Sequence, residues 1–106
     1  MTTFGNREEA FEKRFAVDEE LAFKALARRN KHIGLWLAEL IGRSGADADS
    51  DAIAFVANNV GVSDEALFQI VRTALTQAGV EMSDNRIRRK MEEALAQARA
   101  EIVAGK

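Results

Sequence analysis

Four cations near the end of the chain form its densest group of side chains that could bind a ligand. Cations in the first turns of a helix oppose the helix dipole, so their positions there are locally unfavourable. One interpretation is an anion site, for example for a nucleotide phosphate, assisted by three further cations upstream. The alternative is a solvated or salt-bridged helix face. The cations are Arg86, Arg88, Arg89 and Lys90, with Arg28, Arg29 and Lys31 upstream.

The sequence offers little for catalysis or metal binding. His32 is the only histidine and cysteine is absent, so no histidine pair, metal triad or thiolate centre can be built. The carboxylates are scattered, and no spacing matches a calcium loop or a carboxylate metal site. The sequence therefore predicts a non-enzyme without a metal or a resident cofactor. His32 is expected at the surface or in packing, with pH sensing as the alternative because imidazole titrates near neutrality.

Helices must position these side chains. The first part of the chain carries a long apolar stripe that is typical of such a helix. Read at 100° per residue, the stripe stays on one helical face. As one helix it would be about 55 Å long, at 1.5 Å per residue. The other candidate helices are too short to cover it, so one end must lie bare, fold back or belong to another protein. The stripe comprises Phe4, Phe11, Phe15, Ala22, Leu26, Ile33, Leu37 and Leu40.

The amino-terminal end of the stripe is typical of a segment that docks on a partner. On the helical wheel Phe11 and Phe15 each fall within about 20° of Phe4, and charges flank the three rings. An isolated helix of this length is marginal in water and leaves the rings uncovered, so docking in an apolar groove is one interpretation. The other is that the rings cap the open end of the bundle. The flanking residues are Glu8, Glu12 and Glu19 on one side, and Arg7 and Arg14 on the other.

Glycines and Ser/Asp/Asn caps divide the rest of the chain into helices. A helix from about Asp18 to Ile41 is followed by an acidic connection, and Asp49 or Ser50 is expected to begin the second helix. Ser63 and Ser83 are expected to cap the third and fourth, and Gly79 is expected to end the third in a Schellman motif. In the second helix the predicted buried face is Ile53, Val56, Ala57 and Val60. Gly34, within the first helix, costs roughly 1 kcal/mol against alanine. Close approach of another backbone would explain it, and the alternative is that the helix tolerates this glycine by chance.

The fold class is therefore all-α. We predict a four-helix bundle with one long N-terminal helix, or a mobile N-terminal arm, and three shorter helices. The predicted division is an arm over residues 1–17 and a four-helix domain over residues 18–106. Trp36 is expected in the core beside its apolar neighbours, although it could stack on a nucleotide base.

Composition narrows the function further. The chain has 106 residues with 47% hydrophobic and 30% charged residues, as in a single globular domain. A net charge of −2 argues against general binding of nucleic acid, which needs many cations. No apolar run approaches the ~18 residues of a membrane span, and the amino terminus lacks the features of a targeting sequence. The expected location is the cytosol, or the cytosolic face of something larger.

The order of several short blocks resembles the zeta-subunit family of alphaproteobacterial ATP synthase inhibitors. The opening MTTF is followed by RE, AFE, FA, DEEL, FKA and AEL, and two blocks are more specific. These are ARRNK with GLW (Ala27 to Lys31 and Gly34 to Trp36), and IRRKM (Ile87 to Met91). The likeness covers nearly the whole chain. Departures fall at Gly5 and Asn6, where two acids are expected, and at Val17, where a polar residue is expected.

The resemblance implies a regulatory subunit whose amino-terminal arm inhibits ATP hydrolysis by the F-type ATP synthase. In the family the arm becomes helical in a catalytic αβ interface near the central rotating shaft and blocks rotation. The implied partner is the catalytic head, with its alpha, beta and gamma subunits, which would place the protein in the cytoplasm, peripheral to the inner membrane. The arm residues carried over are Phe4, Arg7, Glu8, Phe11, Glu12, Lys13, Arg14, Phe15, Asp18, Glu19 and Glu20.

Two other functions stay open at this point. The first is a small helical module that senses a nucleotide or another anion and has little or no inhibitory activity. Its binding of ATP or ADP would be weak, because the sequence has no Gly-x-x-x-x-Gly-Lys loop to hold phosphates. The second is a generic helical scaffold.

Overall fold

The computed structural model describes the backbone of residues 2–106 and the side-chain surroundings of residues 18–106. It contains four helices and, within the described backbone, no strand. The all-α prediction is therefore confirmed. The helices are α1 (Thr2–Leu40), α2 (Gly45–Asn58), α3 (Asp64–Gln77) and α4 (Asp84–Val103).

Serine caps begin the two carboxyl-terminal helices as predicted. The Ser63 hydroxyl accepts a hydrogen bond from the Ala66 backbone N–H, and the Ser83 hydroxyl accepts one from that of Arg86. Each bond satisfies a backbone donor that a helix start otherwise leaves unpaired. The turn after α3 is also the expected one, because Gly79 has a φ of +71° and the Val80 N–H reaches the Leu75 carbonyl at 2.9 Å, as in a Schellman motif.

The start of α2 differs from the prediction. The helix begins at Gly45 after an extended Ser44, five or so residues before the expected caps at Asp49 and Ser50. The acidic stretch is helical because Asp47 lies in the first turn, where a carboxylate is favourable to the dipole. In addition, Ala48 is buried and anchors this turn on the bundle.

Helix α1 is the element on which the other three pack. It contacts α2 and α4 extensively and α3 more sparingly, while α3 also contacts α4. Helix α2 runs antiparallel to α1, because Gly34 lies against Ala52 whereas Asn30 reaches Asn59. Helix α4 is antiparallel as well, because its early residue Lys90 lies over Trp36 and its late residue Glu101 contacts His32. The core consists of Ile33, Leu37, Leu67, Phe68, Val71, Leu75, Ile87, Met91 and Ala94, with Trp36 and Phe55 packed against it and partly buried.

The buried face of α2 is not the one expected. Ile53 and Val60 are each 63% exposed, whereas Ala48 and Ala52 are almost completely buried. The reason is the close approach of α2 to α1. A β-carbon built on Gly34 would lie 2.9 Å from Cβ of Phe55 and 3.1 Å from Cα of Ala52. The face of α2 that meets α1 is therefore the one that carries Ala52 and Phe55, and Ile53 and Val60 stay exposed.

The stripe of α1 is buried over only part of its length. Of its residues whose surroundings are described, Ile33 and Leu37 are core residues, whereas Ala22 is exposed and Leu26 and Leu40 are 39% and 36% exposed. Within residues 18–106, the first buried residue is Ala25. The helix itself is continuous through Asp18, where the sequence predicts a second start, so the division at residue 17 has no helix break to mark it.

We predict that Gly34→Ala destabilises the protein by about 1–2 kcal/mol. The added methyl group gains roughly 1 kcal/mol in helix propensity, but it overpacks a contact between two helix backbones, which typically costs more. Chemical denaturation followed by circular dichroism measures the free energy of unfolding. The control is Thr73→Ala at an exposed position of α3, which should stabilise slightly. A Gly34→Ala protein as stable as that control would show that the contact is not close.

Candidate functional site

Helix α1 is exposed over residues 18–24. These seven consecutive residues form nearly two full turns of an α-helix. The three carboxylates predicted for partner binding, Asp18, Glu19 and Glu20, lie here, and Glu20 pairs with Lys24 at 3.1 Å. A pair between such exposed groups contributes little to stability. Phe23 and Lys24 line a shallow groove with Ile102 of α4, but every residue of the stretch stays accessible to a partner.

The rest of the predicted arm lies outside the residues whose side chains are described. This applies to the three phenylalanines and to the charges between them, so their roles stay predictions. They are Phe4, Arg7, Glu8, Phe11, Glu12, Lys13, Arg14 and Phe15.

The seven predicted anion-binding cations are not gathered in one place. Arg29 is 2% exposed, and its guanidinium bonds to the Asp64 carboxylate at 2.7 Å. Arg28 donates to the Lys106 carbonyl at 2.8 Å, at the far end of α4 from Arg86. Lys31 lines a shallow groove beside Arg28. Arg29 is thus a structural residue that ties α1 to the start of α3.

Three of the cations do share one cleft. Arg86, Arg89 and Lys90 line it from α4, opposite Trp36 of α1. The Lys90 ammonium is 5.7 Å from the centre of the Trp36 ring, within the range of a cation–π contact. None of the three takes part in an ion pair with any residue of the 18–106 region. Glu93, on the same wall, lowers the positive potential of the cleft.

Arg88 points to another side of α4 and is already occupied. Its guanidinium contacts the Glu65 carboxylate at 3.2 Å and stacks over the Phe68 ring at 3.9 Å. The hydrogen bond from Arg88 holds the pKa of Glu65 below its usual value. For Arg88 the structure thus matches the salt-bridged alternative.

His32 packs against the carboxyl-terminal end of α4. Its Nε2 lies 2.7 Å from a carboxylate oxygen of Glu101, and the Arg28 guanidinium is 3.9 Å from the same oxygen. The hydrogen bond with His32 lowers the pKa of Glu101, against a smaller opposing effect of burial. This is the packing role predicted for His32.

The acidic partners of these contacts were missed by sequence reasoning. Asp64, Glu65 and Glu101 each hold a cation of another helix. Helical spacing finds pairs within one helix, such as Glu20 with Lys24, but it carries no signal for pairs that tertiary packing creates.

The fold and these contacts define a small helical-bundle protein with one exposed helical extension. No cluster of three or more potential metal-ligating side chains occurs in residues 18–106. The described helices also lack the combination of length and hydropathy that a membrane span needs.

Residues 1–101 match the family of the ATPase inhibitor subunit zeta, so the chain belongs to this family. The match spans both the predicted arm and nearly all of the bundle. A search of curated proteins found no significant relative. The family name indicates a regulatory protein that interacts with ATP synthase.

The His32–Glu101 contact predicts a specific pH dependence. Because the folded-state pKa of Glu101 is lowered, its stabilising contribution is present above the unfolded value of about 4.5 and is lost as the pH falls through the folded value. NMR titration of the side-chain carboxyl carbons should show the pKa of Glu101 rising toward 4.5 in His32→Asn.

The Glu65 carboxyl, held by Arg88, serves as the internal control and should titrate unchanged in that variant. If the pKa of Glu101 is the same in the wild type and in His32→Asn, His32 is not the cause of the lowered pKa.

Proposed function

We propose that this protein inhibits ATP hydrolysis by an F-type ATP synthase through the amino-terminal part of α1. Residues 1–17 would enter a catalytic interface between the alpha and beta subunits of the head, close to the gamma subunit. This would place the protein on the cytoplasmic side of the inner membrane, peripheral to it. The proposed role is regulatory and not enzymatic, and it needs no metal or cofactor.

The observation that carries this proposal is that all seven residues of α1 from 18 to 24 are exposed. Even the large apolar side chains of this stretch, Leu21 and Phe23, are 41% and 58% exposed, so they are accessible to a partner. The segment leads directly into the apolar stripe of Phe4, Phe11 and Phe15. Together with the inhibitor family, the exposure supports a projecting segment that is completed by another protein's surface.

Inhibition of this kind requires binding and no chemistry. Rotary hydrolysis needs the catalytic interfaces to open and close in turn. A helix that binds one of these states better than the others holds the head in that state, which is a population shift. The phenylalanines would anchor the helix in the interface, and the flanking charges would set its register.

The expected result for the arm is loss of inhibition when its apolar anchors are removed. In Phe11→Ser/Phe15→Ser the concentration that half-inhibits the isolated ATPase head should rise at least about tenfold, as for the removal of interface anchors. A protein that lacks Met1 to Phe15 should not inhibit at all.

Ile41→Ser is the matched control for this assay. Ile41 is 49% exposed at the other end of α1, so the change removes apolar surface without touching the arm, and inhibition should be normal. Equal inhibition by the shortened and full-length proteins would contradict the proposal.

A second candidate function is the binding of a nucleotide or another anion, with little or no inhibition. It is favoured by one observation, the cleft in which Arg86, Arg89 and Lys90 face Trp36 without ion-pair partners in the described region. Phosphates would contact the cations, and the indole could stack on a base. Binding of ATP or ADP would be weak, because no Gly-rich loop surrounds the phosphates and Glu93 opposes them.

Titration of ATP against Trp36 fluorescence tests this candidate, because Trp36 is the only tryptophan. A saturable change in the wild type that disappears in Arg86→Ala/Arg89→Ala would support the cleft as the site. Arg99→Ala, at an exposed position later in α4, is the control and should behave as the wild type. No saturable change, or one that survives in Arg86→Ala/Arg89→Ala, would remove the candidate.

A further inference from the structure

Exposed apolar side chains are concentrated at the end of the bundle from which α1 projects. Of the eight large hydrophobic residues exposed within residues 18–106, five belong to this end. They are Leu21 (41%), Phe23 (58%), Leu26 (39%), Val60 (63%) and Val103 (88%). We call these five residues the collar, because they come from three parts of the chain around the exit of α1.

The helix register explains why they meet. Asn30 of α1 bonds to the Asn59 carbonyl at the end of α2, so the residues just after α2 lie beside the part of α1 that precedes Asn30. Phe23 and Leu26 accordingly line one groove together with Val60. On the other side, Ile102 of α4 lines a groove with Phe23, which brings the end of α4 to the same place.

Three of the collar residues, Phe23, Leu26 and Val60, line one groove and so form a common apolar surface. Single exposed hydrophobic side chains are normal, whereas a contiguous apolar patch on a monomer indicates a binding site. No other element of residues 18–106 covers it, since α2 and α4 both reach their ends here. Phe23 and Val60, from two different elements, face the same groove, so a single flat partner surface could contact both.

We propose that the collar is a second docking surface for the ATPase head, seated on the head's outer surface beside the cleft that takes the arm. This inference rests on the proposed function. The argument is continuity along α1, because Leu26 lies only about 16 Å along the helix from Phe15. When the arm is bound in its cleft on the head, the collar lies against the rim of that cleft.

Charge specifies the partner surface further. Asp18, Glu19 and Glu20 are all exposed between the arm and the collar, and Lys24 pairs with only one of them. The complementary surface on the head is therefore apolar where it meets Phe23 and Val60, and it carries lysine or arginine side chains next to that patch.

A collar that seats on the head has two consequences. It limits how far the arm can enter, because the bundle is wider than the helix that leaves it. It also adds apolar contact area that slows dissociation without changing the state in which the arm holds the enzyme. Loss of the collar should therefore weaken binding but leave full inhibition at saturating protein.

The test compares full-length variants in the hydrolysis assay with the ATPase head. Phe23→Ser/Val60→Ser should raise the half-inhibiting concentration about tenfold, mainly through faster dissociation, and should still reach the wild-type maximum. The control Ile41→Ser, at the opposite end of α1, should have a half-inhibiting concentration within twofold of the wild-type value. If the half-inhibiting concentration of Phe23→Ser/Val60→Ser is also within twofold of the wild-type value, the proposal that the collar docks on the head is wrong.

The Phe11→Ser/Phe15→Ser protein separates this failure from failure of the proposed function. If Phe11→Ser/Phe15→Ser loses inhibition while the collar variant inhibits normally, the arm mechanism holds and only the docking of the collar is wrong. If Phe11→Ser/Phe15→Ser inhibits as well as the wild type does, the arm mechanism is wrong.

A photo-crosslinking residue at position 60 provides a second measurement that does not depend on the stability of Phe23→Ser. It should crosslink to a subunit of the head, whereas the same group at position 41 should not. If position 60 gives no crosslink in the inhibited complex, the collar does not contact the head and the proposal is wrong.

Discussion

The contact between α1 and α2 at Gly34 determines where the bundle ends. Because Gly34 meets Ala52 and Phe55 so closely, the two helices are fixed in register, and α2 must finish opposite Asn30. On the other side, α4 ends at Val103, and Arg28 donates to the Lys106 carbonyl just beyond that end. Residues 18–24 of α1 therefore extend past the ends of both α2 and α4.

Buried polar contacts reinforce this register. The Arg29 guanidinium, almost completely enclosed, bonds to Asp64 at the start of α3 and to the Asn30 side chain. The Asn59 amide in turn donates to the Phe55 carbonyl at 2.7 Å. Every buried side-chain nitrogen and oxygen in the described region has a hydrogen-bond partner. Such a network gives little net stability, but a misplaced partner leaves a buried charge unpaired, which is costly.

Sequence reasoning predicted the helices well where local signals decide them. Ser63 and Ser83 bind the backbone of their own helices, and Gly79 forms its own turn, so their roles can be seen in a short stretch of residues. The α2 stripe of Ile53, Val56 and Val60 shows the opposite case. Its large side chains fit a buried helix by periodicity, but the close contact at Gly34 turns the face of Ala52 and Phe55 toward α1 instead.

For the candidate site the same limit applies. The seven cations look like one group along the sequence, yet Arg29 and Arg88 are held by carboxylates of another helix, and only packing could reveal that. The exposure of α1 ahead of the bundle, in contrast, is predicted by length. An α1 of 39 residues is longer than the other helices, of 14, 14 and 20 residues, and the end of α2, the start of α3 and the end of α4 all meet α1 at residues 28–30.

The central claim is that the bundle holds one half of a helix so that the other half can enter the ATPase head. Amide hydrogen exchange of the full-length protein, measured with and without the head, tests this most directly. The account predicts that binding slows exchange over residues 2–17 and leaves residues 84–98 of α4 unchanged. Slowing confined to α4 around Arg86 and Lys90, with residues 2–17 unaffected, would contradict it.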